Sequence, residues 1–413
     1  MQVLVNQVKE LFSEGSAFLQ AGKASEALAC FKAALVINPS NQTLYLYAGA
    51  ALHDLGCYEE AIASYRQAIV IEPDLGEAHN NLGNSLIALG RFSDAAESFS
   101  RAADLILSSP VPLTTLATAL QALGMISEAE ANCRKALSLD PDFAAAHWNL
   151  ALNLLLQGRY LEGWQEYEWR WRKPDFTSPC RHTDVPLWDG SPLHGRTILL
   201  HAEQGFGDAI QFVRYVPLVS DCGGNVLLEC HPQLVSLFQG VKGIQAVVPF
   251  GAPLPQFGCQ APLLSLPRIF ETTLRNIPSS CPYLSVNAEH RRKWSTLMSA
   301  YSSPLRVGLV WAGKNYPDPL RSCRLKELAT FSADNVIFFS LQLGGGAEQT
   351  RVPPDVIHLV DLTNMIQDFA DSAALIEQLD LVISIDTAVA HLAGALGKPT
   401  WVMLPFAPDW RWL

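Results

Sequence analysis

The chain has 413 residues and a formal net charge of −11, which predicts two or three domains and disfavours a surface that tracks nucleic acid or an anionic membrane. The start, Met1 to Asn6, lacks a basic, apolar leader, and no apolar run reaches the roughly 18 residues of a membrane helix, so we expect a cytoplasmic protein without a membrane span. Nine cysteines without a Cys-x-x-Cys pair favour reduced thiols over disulfides or zinc.

A 34-residue period organises the first part of the chain. Pro39, Pro73 and Pro141 are separated by this length or by twice this length, and such a period predicts an array of stacked units. A column of small residues contains Gly15, Gly49, Gly83, Ala117 and Ala151. A column of rings contains Phe31, Tyr65, Phe99 and Tyr167, with Cys133 in the fourth unit. Small residues let two antiparallel helices approach closely, and the ring fills the remaining space.

These columns resemble the tetratricopeptide repeat (TPR) over residues 8 to about 172, with five units in register. The resemblance implies an N-terminal α-solenoid over residues 1–172, with a protein or peptide partner on its concave face. Asn81 and Asn149 occupy equivalent positions, similar to the asparagine ladder in the repeats of O-linked N-acetylglucosamine transferases. Tyr47 and Thr115 interrupt this ladder, so simple exposed polar residues remain the alternative to a peptide-binding row.

The end of the fifth unit is rich in aromatic residues. Trp164, Tyr167, Trp169 and Trp171 recur within eight positions. Four exposed rings would be costly, and a terminal repeat has no neighbour to cover it. We therefore expect this segment to be a cap that packs on chain that follows.

The pattern changes after the repeats. Residues 173–195 are rich in proline, glycine and polar side chains, which predicts a linker or an extended segment lying on the next domain. From residue 196 apolar strands alternate with helical segments, the signature of a parallel α/β sheet. We predict two Rossmann-like lobes, 196–287 and 305–413, joined by a helical bridge over 288–304.

The first lobe opens with a strand, Thr197 to His201, and a loop that carries two glycines and Asp208. A helix is predicted from about Ala209 to Leu218. The loop lacks the third glycine of the dinucleotide fingerprint, which disfavours a redox cofactor. Asp208 is either an ordinary acidic residue at a helix start or a catalytic carboxylate at the edge of the sheet.

The second lobe repeats this arrangement twice. A strand from Leu305 to Trp311 precedes a loop with Lys314, and a strand that ends at Ser340 precedes Gln342. Arg321 follows the first of these loops. A helix predicted after Val360 has Asp371 and Ser372 as its expected caps.

The stretch that follows combines a buried strand with a short helix. Leu381 to Ile385 is apolar and rich in β-branched residues, and Asp386 or Thr387 is the expected cap of the next helix. His391 lies four residues after Thr387, which places both side chains on one helix face. The helix N-terminus at the carboxyl edge of a sheet favours a phosphate. An ordinary capped helix with a satisfied histidine is the alternative.

Gly207-Asp208, Asp386-Thr387 and His391-Leu392 look like the heptosyltransferase-type glycosyltransferases, which have the GT-B fold. Together with the repeats, the string Glu203-Gln-Gly-Phe-Gly-Asp208 and the segment from Pro405 to Trp412 are similar to bacterial tetratricopeptide proteins with such a domain. We expect the second lobe to be incomplete at its C-terminal side, because GT-B enzymes normally continue through further helices.

The resemblance implies a role for each matched residue. Asp208 would be the general base and Arg321 would stabilise the leaving diphosphate. The residues that would bind the donor are Asp386, Thr387 and His391, with Lys314 and Gln342 as additional candidates. The implied reaction inverts the anomeric carbon of a nucleotide-diphosphate sugar, with neither a metal nor another cofactor.

Two other functions remain open. One is a protein-interaction scaffold in which the repeats do the work and the sugar-transfer site is degenerate. A sugar-phosphate epimerase of similar two-lobed fold would convert a nucleotide sugar without an acceptor. The leading prediction is a glycosyltransferase whose acceptor is recruited by the repeats.

Overall fold

The computed structural model describes residues 2–203, 205–314 and 321–412. The chain divides into two compact units, Met1–Lys173 with Asp409–Leu413, and Pro174–Pro408. The predicted fold is confirmed: helical repeats are followed by two parallel sheets. Within the described residues, each helix is too short or too polar to cross a bilayer.

The first unit is a stack of antiparallel helix pairs. Its α-helices are α1 (Gln2–Gln20), α2 (Ala24–Ile37), α3 (Gln42–Asp54), α4 (Tyr58–Ile71), α5 (Gly76–Ala88), α6 (Phe92–Leu105), α7 (Val111–Ala122), α8 (Ile126–Leu139), α9 (Ala144–Leu156) and α10 (Tyr160–Tyr167). The odd-numbered helices also pack against one another from repeat to repeat. Such contacts are expected of helices on the inner, concave side of a repeat array.

The glycine and ring columns contact each other inside each repeat. A Cβ atom on Gly83 would lie 2.5 Å from Cε1 of Phe99, and one on Gly49 would lie 2.5 Å from Cε1 of Tyr65. The ring thus occupies the space that glycine leaves empty. The fourth repeat has Ala117 and Cys133 instead, both fully buried, so a larger residue on one helix accompanies a smaller one on the other.

This complementarity predicts a favourable coupling between the two columns. Gly83→Ala should destabilise the repeats by about 1–3 kcal/mol through overpacking, and Phe99→Cys by about 3 kcal/mol through a cavity. The double variant recreates the Ala117–Cys133 pair of the fourth repeat. We expect the double variant to lose less free energy of unfolding than the two single variants lose together, by at least about 1 kcal/mol. Calorimetry of the full chain measures these losses. Strict additivity would contradict this packing account.

An ionic network joins α8 to α10. Glu130 accepts hydrogen bonds from Arg134, Arg159 and Gln157 at 2.7–2.8 Å, and Glu162 pairs with the same two arginines. Burial alone would raise the pKa of Glu130. The hydrogen bonds from Gln157, Arg134 and Arg159 outweigh it and lower the pKa to about 2.

The network predicts a pH-dependent contribution to stability. A carboxyl whose pKa falls on folding stabilises the protein above its unfolded pKa of about 4.5 and loses that effect as the pH falls towards 2. Glu130→Gln should therefore cost about 1–2 kcal/mol at pH 7 and much less near pH 3. Calorimetry at both pH values checks this, with the exposed Glu128→Gln as the control. An equal loss at both pH values would contradict it.

The aromatic end of the fifth repeat packs on chain that follows, as predicted. Trp164 and Tyr167 contact Trp410, with ring centroids 5.1 and 6.2 Å apart. Trp169 instead stacks on His147 at 3.7 Å, within the repeats. The cap therefore combines an internal stack with a contact to the last described residues.

The second unit contains two parallel sheets. The first has β1 (Thr197–His201), β2 (Asn225–Cys230), β3 (Ile244–Pro249) and β4 (Cys259–Pro262) in the order β3-β2-β1-β4. The second has β5 (Leu305–Val310), β6 (Val336–Ser340), β7 (Leu359–Asp361), β8 (Leu381–Ile385) and β9 (Thr400–Met403) in the order β7-β6-β5-β8-β9. Strands β1 and β8 have the predicted ends and β5 ends one residue earlier than predicted, whereas β4 was not predicted.

The helices of this unit are α11 (Phe206–Phe212), α12 (Val216–Asp221), α13 (Val235–Phe238), α14 (Leu266–Ile269), α15 (Ala288–Met298), α16 (Phe369–Glu377) and α17 (Ala388–Ala395). The single helix predicted over 209–218 is wrong: α11 begins three residues earlier, and a 3-10 turn separates it from α12. The bridge helix α15 lies close to its predicted position.

Candidate functional site

Each sheet has one point at which the direction of strand addition reverses. In the first sheet the chain runs from β1 outward through β2 and β3 and returns to β4 on the other side of β1. In the second it runs from β5 outward through β6 and β7 and returns to β8 beside β5. Ligands of open parallel sheets bind at such switch points, outside the carboxyl ends of the strands. The loop with Asp208 follows β1, and the turn with Asp386 follows β8.

These two loops lie against each other within the second unit. Helices α11 and α17 pack side by side, and a Cβ on Gly207 would lie 2.9 Å from Cδ2 of His391 and 3.5 Å from Cα of Ala388. Only a residue without a side chain permits this approach. Gly207 of the first lobe therefore faces the second lobe.

Asp208 lies in the first turn of α11, with its carboxylate folded back over the helix start. A Cβ on Gly205 would lie 2.6 Å from Oδ2 of Asp208, so the N-cap glycine makes room for the carboxylate. Gln204, in the same loop, lies outside the described residues. The geometry places Asp208 two residues from the helix start, next to the residue that touches His391.

The start of α17 leaves backbone donors available. Thr387 is the N-cap, yet its side chain does not cap the helix; its Oγ1 is 3.0 Å from Oγ of Ser384. Because the Ser384 hydroxyl donates to the carbonyl of Ile385 at 2.7 Å, Thr387 donates to Ser384. The N–H groups of Ala388 and Val389 have no acceptor within the helix. This N-terminus can therefore receive an anion.

Arg321 lies across the loop that follows β5. A Cβ on Gly313 would lie 2.9 Å from Nε of Arg321, and Nη2 of Arg321 donates to the carbonyl of Lys314 at 3.1 Å. Its Nε is buried without a hydrogen-bond partner among the described residues. The Lys314 side chain is exposed, and residues 315–320 lie outside the described residues. Two cationic side chains thus follow the strand adjacent to β8.

Gln342 has a different role from the predicted one. Its Oε1 accepts from the backbone N–H groups of Trp311 and Ala312 at 3.0 and 2.9 Å, and its Nε2 donates to the carbonyls of Ala312 and Gly345 at 2.9 and 2.8 Å. The side chain is 2% exposed. Its amide is saturated by the two loops, so we correct its assignment from donor binding to positioning of the loop that carries Lys314.

An acidic cluster lies where α15 meets α16. His290, Asp368 and Asp371 have potential ligand atoms within 4.8 Å of one another, but the Asp371 carboxylate accepts from Lys293 Nζ at 2.7 Å and Trp294 Nε1 at 2.8 Å. Burial would raise the pKa of Asp371, and these hydrogen bonds lower it overall. The cluster is therefore explained by helix packing.

The predicted cap of α16 is wrong. Asp368 is the N-cap, and its Oδ1 accepts from the N–H groups of Ala370 and Asp371 at 2.9 and 3.0 Å. Asp371, one of the two predicted caps, lies inside the helix instead. The start of α16 is therefore already satisfied by its own side chain, in contrast to the start of α17.

The two asparagines of the repeats lie on inner helices. Asn149 on α9 donates through Nδ2 to Oγ1 of Thr118 at 2.9 Å and to the carbonyl of Thr114 at 3.2 Å. Its amide nitrogen thus links the fourth and fifth repeats. Asn81 on α5 is half-buried. The inner face therefore carries amide groups, one of which is already used between repeats.

Two serines at the site were not singled out from the sequence. Ser384 bonds Thr387 as described, and Ser322 accepts from the N–H of Gly313 at 3.0 Å. Ser384 is fully buried near the end of an otherwise apolar strand. The feature of the sequence that indicates this role is a small polar residue in an otherwise apolar strand.

Comparisons with known proteins agree with this division of the chain. Residues 15–56 and 49–90 match the family described as TPR repeat, and residues 114–168 match the tetratricopeptide repeat. Residues 364–402 match glycosyltransferase family 9 (heptosyltransferase). This last match contains α16, β8, α17 and nearly all of β9, with the turn from Asp386 to His391. The chain thus contains tetratricopeptide repeats, and its residues 364–402 resemble a heptosyltransferase.

Individual relatives cover parts of the chain. Protein FlbA of Caulobacter vibrioides is 25% identical over 315 residues, 68% of this chain, and the chain spans about half the length, 52%, of that relative. The crystal structure of MamA is 22% identical with a TM-score of 0.35, covering 38% of this chain and 91% of MamA. PilF of Pseudomonas aeruginosa is 19% identical with a TM-score of 0.38, covering 40% of this chain and 76% of PilF.

Proposed function

We propose that the chain is an inverting glycosyltransferase that uses a nucleotide-diphosphate sugar and an acceptor recruited by its repeats. One observation carries the proposal: α11, which carries Asp208, packs through Gly207 against α17, which carries His391 and directly follows Asp386 and Thr387. The match to glycosyltransferase family 9 over residues 364–402 supports the assignment of the second loop to the donor.

The chemistry assigned to these residues is a single displacement. Asp208 takes the proton of the acceptor hydroxyl, whose oxygen forms a bond to the anomeric carbon as the bond from that carbon to the diphosphate breaks. The diphosphate leaves with the electron pair. One displacement inverts the anomeric carbon.

The leaving diphosphate is stabilised by positive charge from two places. Arg321 and Lys314 follow β5, and the N–H groups of Ala388 and Val389, which have no acceptor within the helix, belong to α17 beside it. Preorganised donors of this kind stabilise charge that develops as a bond breaks. We propose that they do so here without a metal, and that His391 and Thr387 hold the phosphates on the same helix face, the Thr387 hydroxyl turning from Ser384 to a phosphate oxygen when the donor binds.

The repeats supply the acceptor in this proposal. Their inner helices carry Asn81, whose amide suits the backbone of an extended peptide, and Asn149, whose amide oxygen can accept a hydrogen bond from one. One of the solved TPR structures similar to these repeats, YrrB, is described as having an unusual peptide-binding site; it is 20% identical, has a TM-score of 0.35 and covers 40% of this chain and 89% of YrrB. We propose that a protein or peptide binds this inner face.

Thermal unfolding with added nucleotides tests the proposal. The full chain is titrated with UDP, GDP, ADP and CDP, because a ligand of the native state adds about 2.7 kcal/mol of stability at one hundred times its Kd. One diphosphate should raise the melting temperature, and Arg321→Ala should remove the shift. Arg324→Ala is the control, since Arg324 is exposed and pairs with Glu327 at 2.9 Å.

The same titration distinguishes the scaffold alternative. If no diphosphate or nucleotide sugar shifts the melting temperature while a protein partner still binds the repeats, the α/β region is a degenerate transferase domain. Conversion of a nucleotide sugar in the absence of an acceptor would instead indicate an epimerase.

A further inference from the structure

We propose that the segment between the repeats and the first sheet is a functional part of the first lobe, and that Arg181 is a positioning residue for the loop that leads into α11 and Asp208. The inference rests on the proposed function for its catalytic consequence. Its structural basis does not depend on that function.

The segment is anchored to the first lobe along much of its length. Gln260 of β4 accepts a hydrogen bond from the N–H of Trp188 at 2.8 Å and donates its own N–H to the carbonyl of Pro186 at 3.0 Å. Trp188 is 2% exposed, and Leu193 is fully buried. Residues 186–188 therefore extend the edge of the sheet and do not form a free linker.

Arg181 reaches the carboxyl ends of the neighbouring strands. Its Nη2 donates to the carbonyl of Ala202 at 2.7 Å, its Nη1 lies 3.3 Å from Oε2 of Glu229, and its guanidinium carbon is 4.2 Å from the ring centroid of Phe250. A carboxylate, a carbonyl and an aromatic face thus surround one guanidinium. Carboxylates, carbonyl oxygens and aromatic faces all attract a guanidinium.

The Glu229 carboxylate receives its side-chain partners from the segment between the repeats and the first sheet. Glu229 is 5% exposed, and a buried carboxylate needs charged or hydrogen-bonding partners. Both of the side chains described as its partners, Arg181 and His182, come from the segment; His182 Nε2 lies 3.0 Å from Oε2 of Glu229. The backbone of His182 has φ +59°, a left-handed conformation that is uncommon for residues other than glycine.

Ala202 is the first residue of the loop that carries Asp208. Its N–H donates to the carbonyl of Glu229 at 2.8 Å, and its carbonyl accepts from Arg181. Both polar groups of this residue are therefore fixed, one by β2 and one by the segment. Gly205, the N-cap of α11, is only three positions after Ala202. The fixed backbone of Ala202 therefore limits where α11 begins, and with it the position of Asp208.

Hydrogen exchange of the full chain tests the positioning role without any substrate. Arg181→Ala should accelerate exchange in peptides covering 205–212 by about tenfold. The reason is that loss of one charge-assisted hydrogen bond makes local opening more favourable by about this factor. Arg275→Ala, an exposed arginine of the same lobe, should leave it unchanged. Unchanged exchange in Arg181→Ala would overturn the proposal.

Chemical rescue makes the test specific. Ethylguanidinium should bind between Glu229, Ala202 and Phe250 in Arg181→Ala and restore slow exchange, whereas the neutral ethylurea should not. Equal effects of the two compounds would overturn the assignment of a guanidinium site. If Arg181→Ala fails to fold, Arg181→Lys serves instead: one ammonium cannot make both polar contacts, so exchange should be intermediate, and wild-type exchange would overturn the role.

Kinetics separate this inference from the proposed function. If the wild type turns over a nucleotide sugar, Arg181→Ala should lower kcat about tenfold or more while the thermal shift by the nucleoside diphosphate stays unchanged. An unchanged kcat would overturn the consequence for Asp208. If the wild type turns over none of the nucleotide sugars, the proposed function fails, and the exchange experiment still decides whether Arg181 positions the loop.

Discussion

Asp208→Asn is expected to abolish sugar transfer while nucleotide binding stays nearly intact. A general base acts only as the acceptor reacts, and its removal costs about a hundredfold to ten-thousandfold in rate. The asparagine keeps the shape of the side chain, and therefore its fit over Gly205. The measurement is the rate of transfer from the nucleotide sugar that the titration identifies, with the diphosphate-induced thermal shift as the binding control.

A matched variant separates the loss of the catalytic base from the general effect of removing one negative charge from the lobe. Asp221→Asn makes the same change at an exposed position at the end of α12 in the same lobe and should leave transfer unchanged. Wild-type transfer by Asp208→Asn would remove Asp208 from the catalytic role. Its carboxylate would then be an ordinary acidic residue at a helix start, stabilising the helix through its dipole.

Gly207→Ala is expected to disrupt the contact between the two half-sites. The added methyl would lie 2.9 Å from the His391 ring, closer than real Cβ contacts, so the ring or one helix must move. We expect a lower melting temperature and weaker nucleotide binding, because displacement by about 1 Å at a site costs up to a hundredfold in function. Calorimetry and the nucleotide titration measure the two effects.

Two further variants show whether the losses of stability and of nucleotide binding in Gly207→Ala come from its contact with His391. His391→Ala should weaken nucleotide binding with little loss of stability, and the double variant with Gly207→Ala should regain stability without regaining binding. Gly394→Ala is the control: it lies in the same helix, and a Cβ there would meet nothing within 4 Å. Wild-type stability and binding in Gly207→Ala would contradict the close contact described here.

The sequence predicted the parts of the fold in which local pattern and burial agree. The repeats followed from small residues and rings at a fixed period, and β1, β5 and β8 followed from apolar runs rich in β-branched residues. The short strand β4, Cys259–Pro262, has neither signal. It forms because β1 and residues 186–188 pair with it on both sides, which only the folded chain reveals.

The errors at the site have physical reasons. The start of α11 was placed too late because Gly205 and Gly207 read as loop residues, although one is the N-cap and the other a point of close contact. Gln342 was assigned to the donor because the sequence cannot show that backbone groups of two loops saturate its amide. The cap of α16 was missed because Asp368 and Asp371 are equally good caps by residue type.

Hydrogen exchange with and without the bound nucleoside diphosphate tests the central claim most directly. That claim is that the loop after β1 and the turn after β8 form one site. Binding should slow exchange at 205–209 and at 388–391 together, with the amides of Ala388 and Val389 among those protected. Protection of only one of these segments, or of neither, would contradict it.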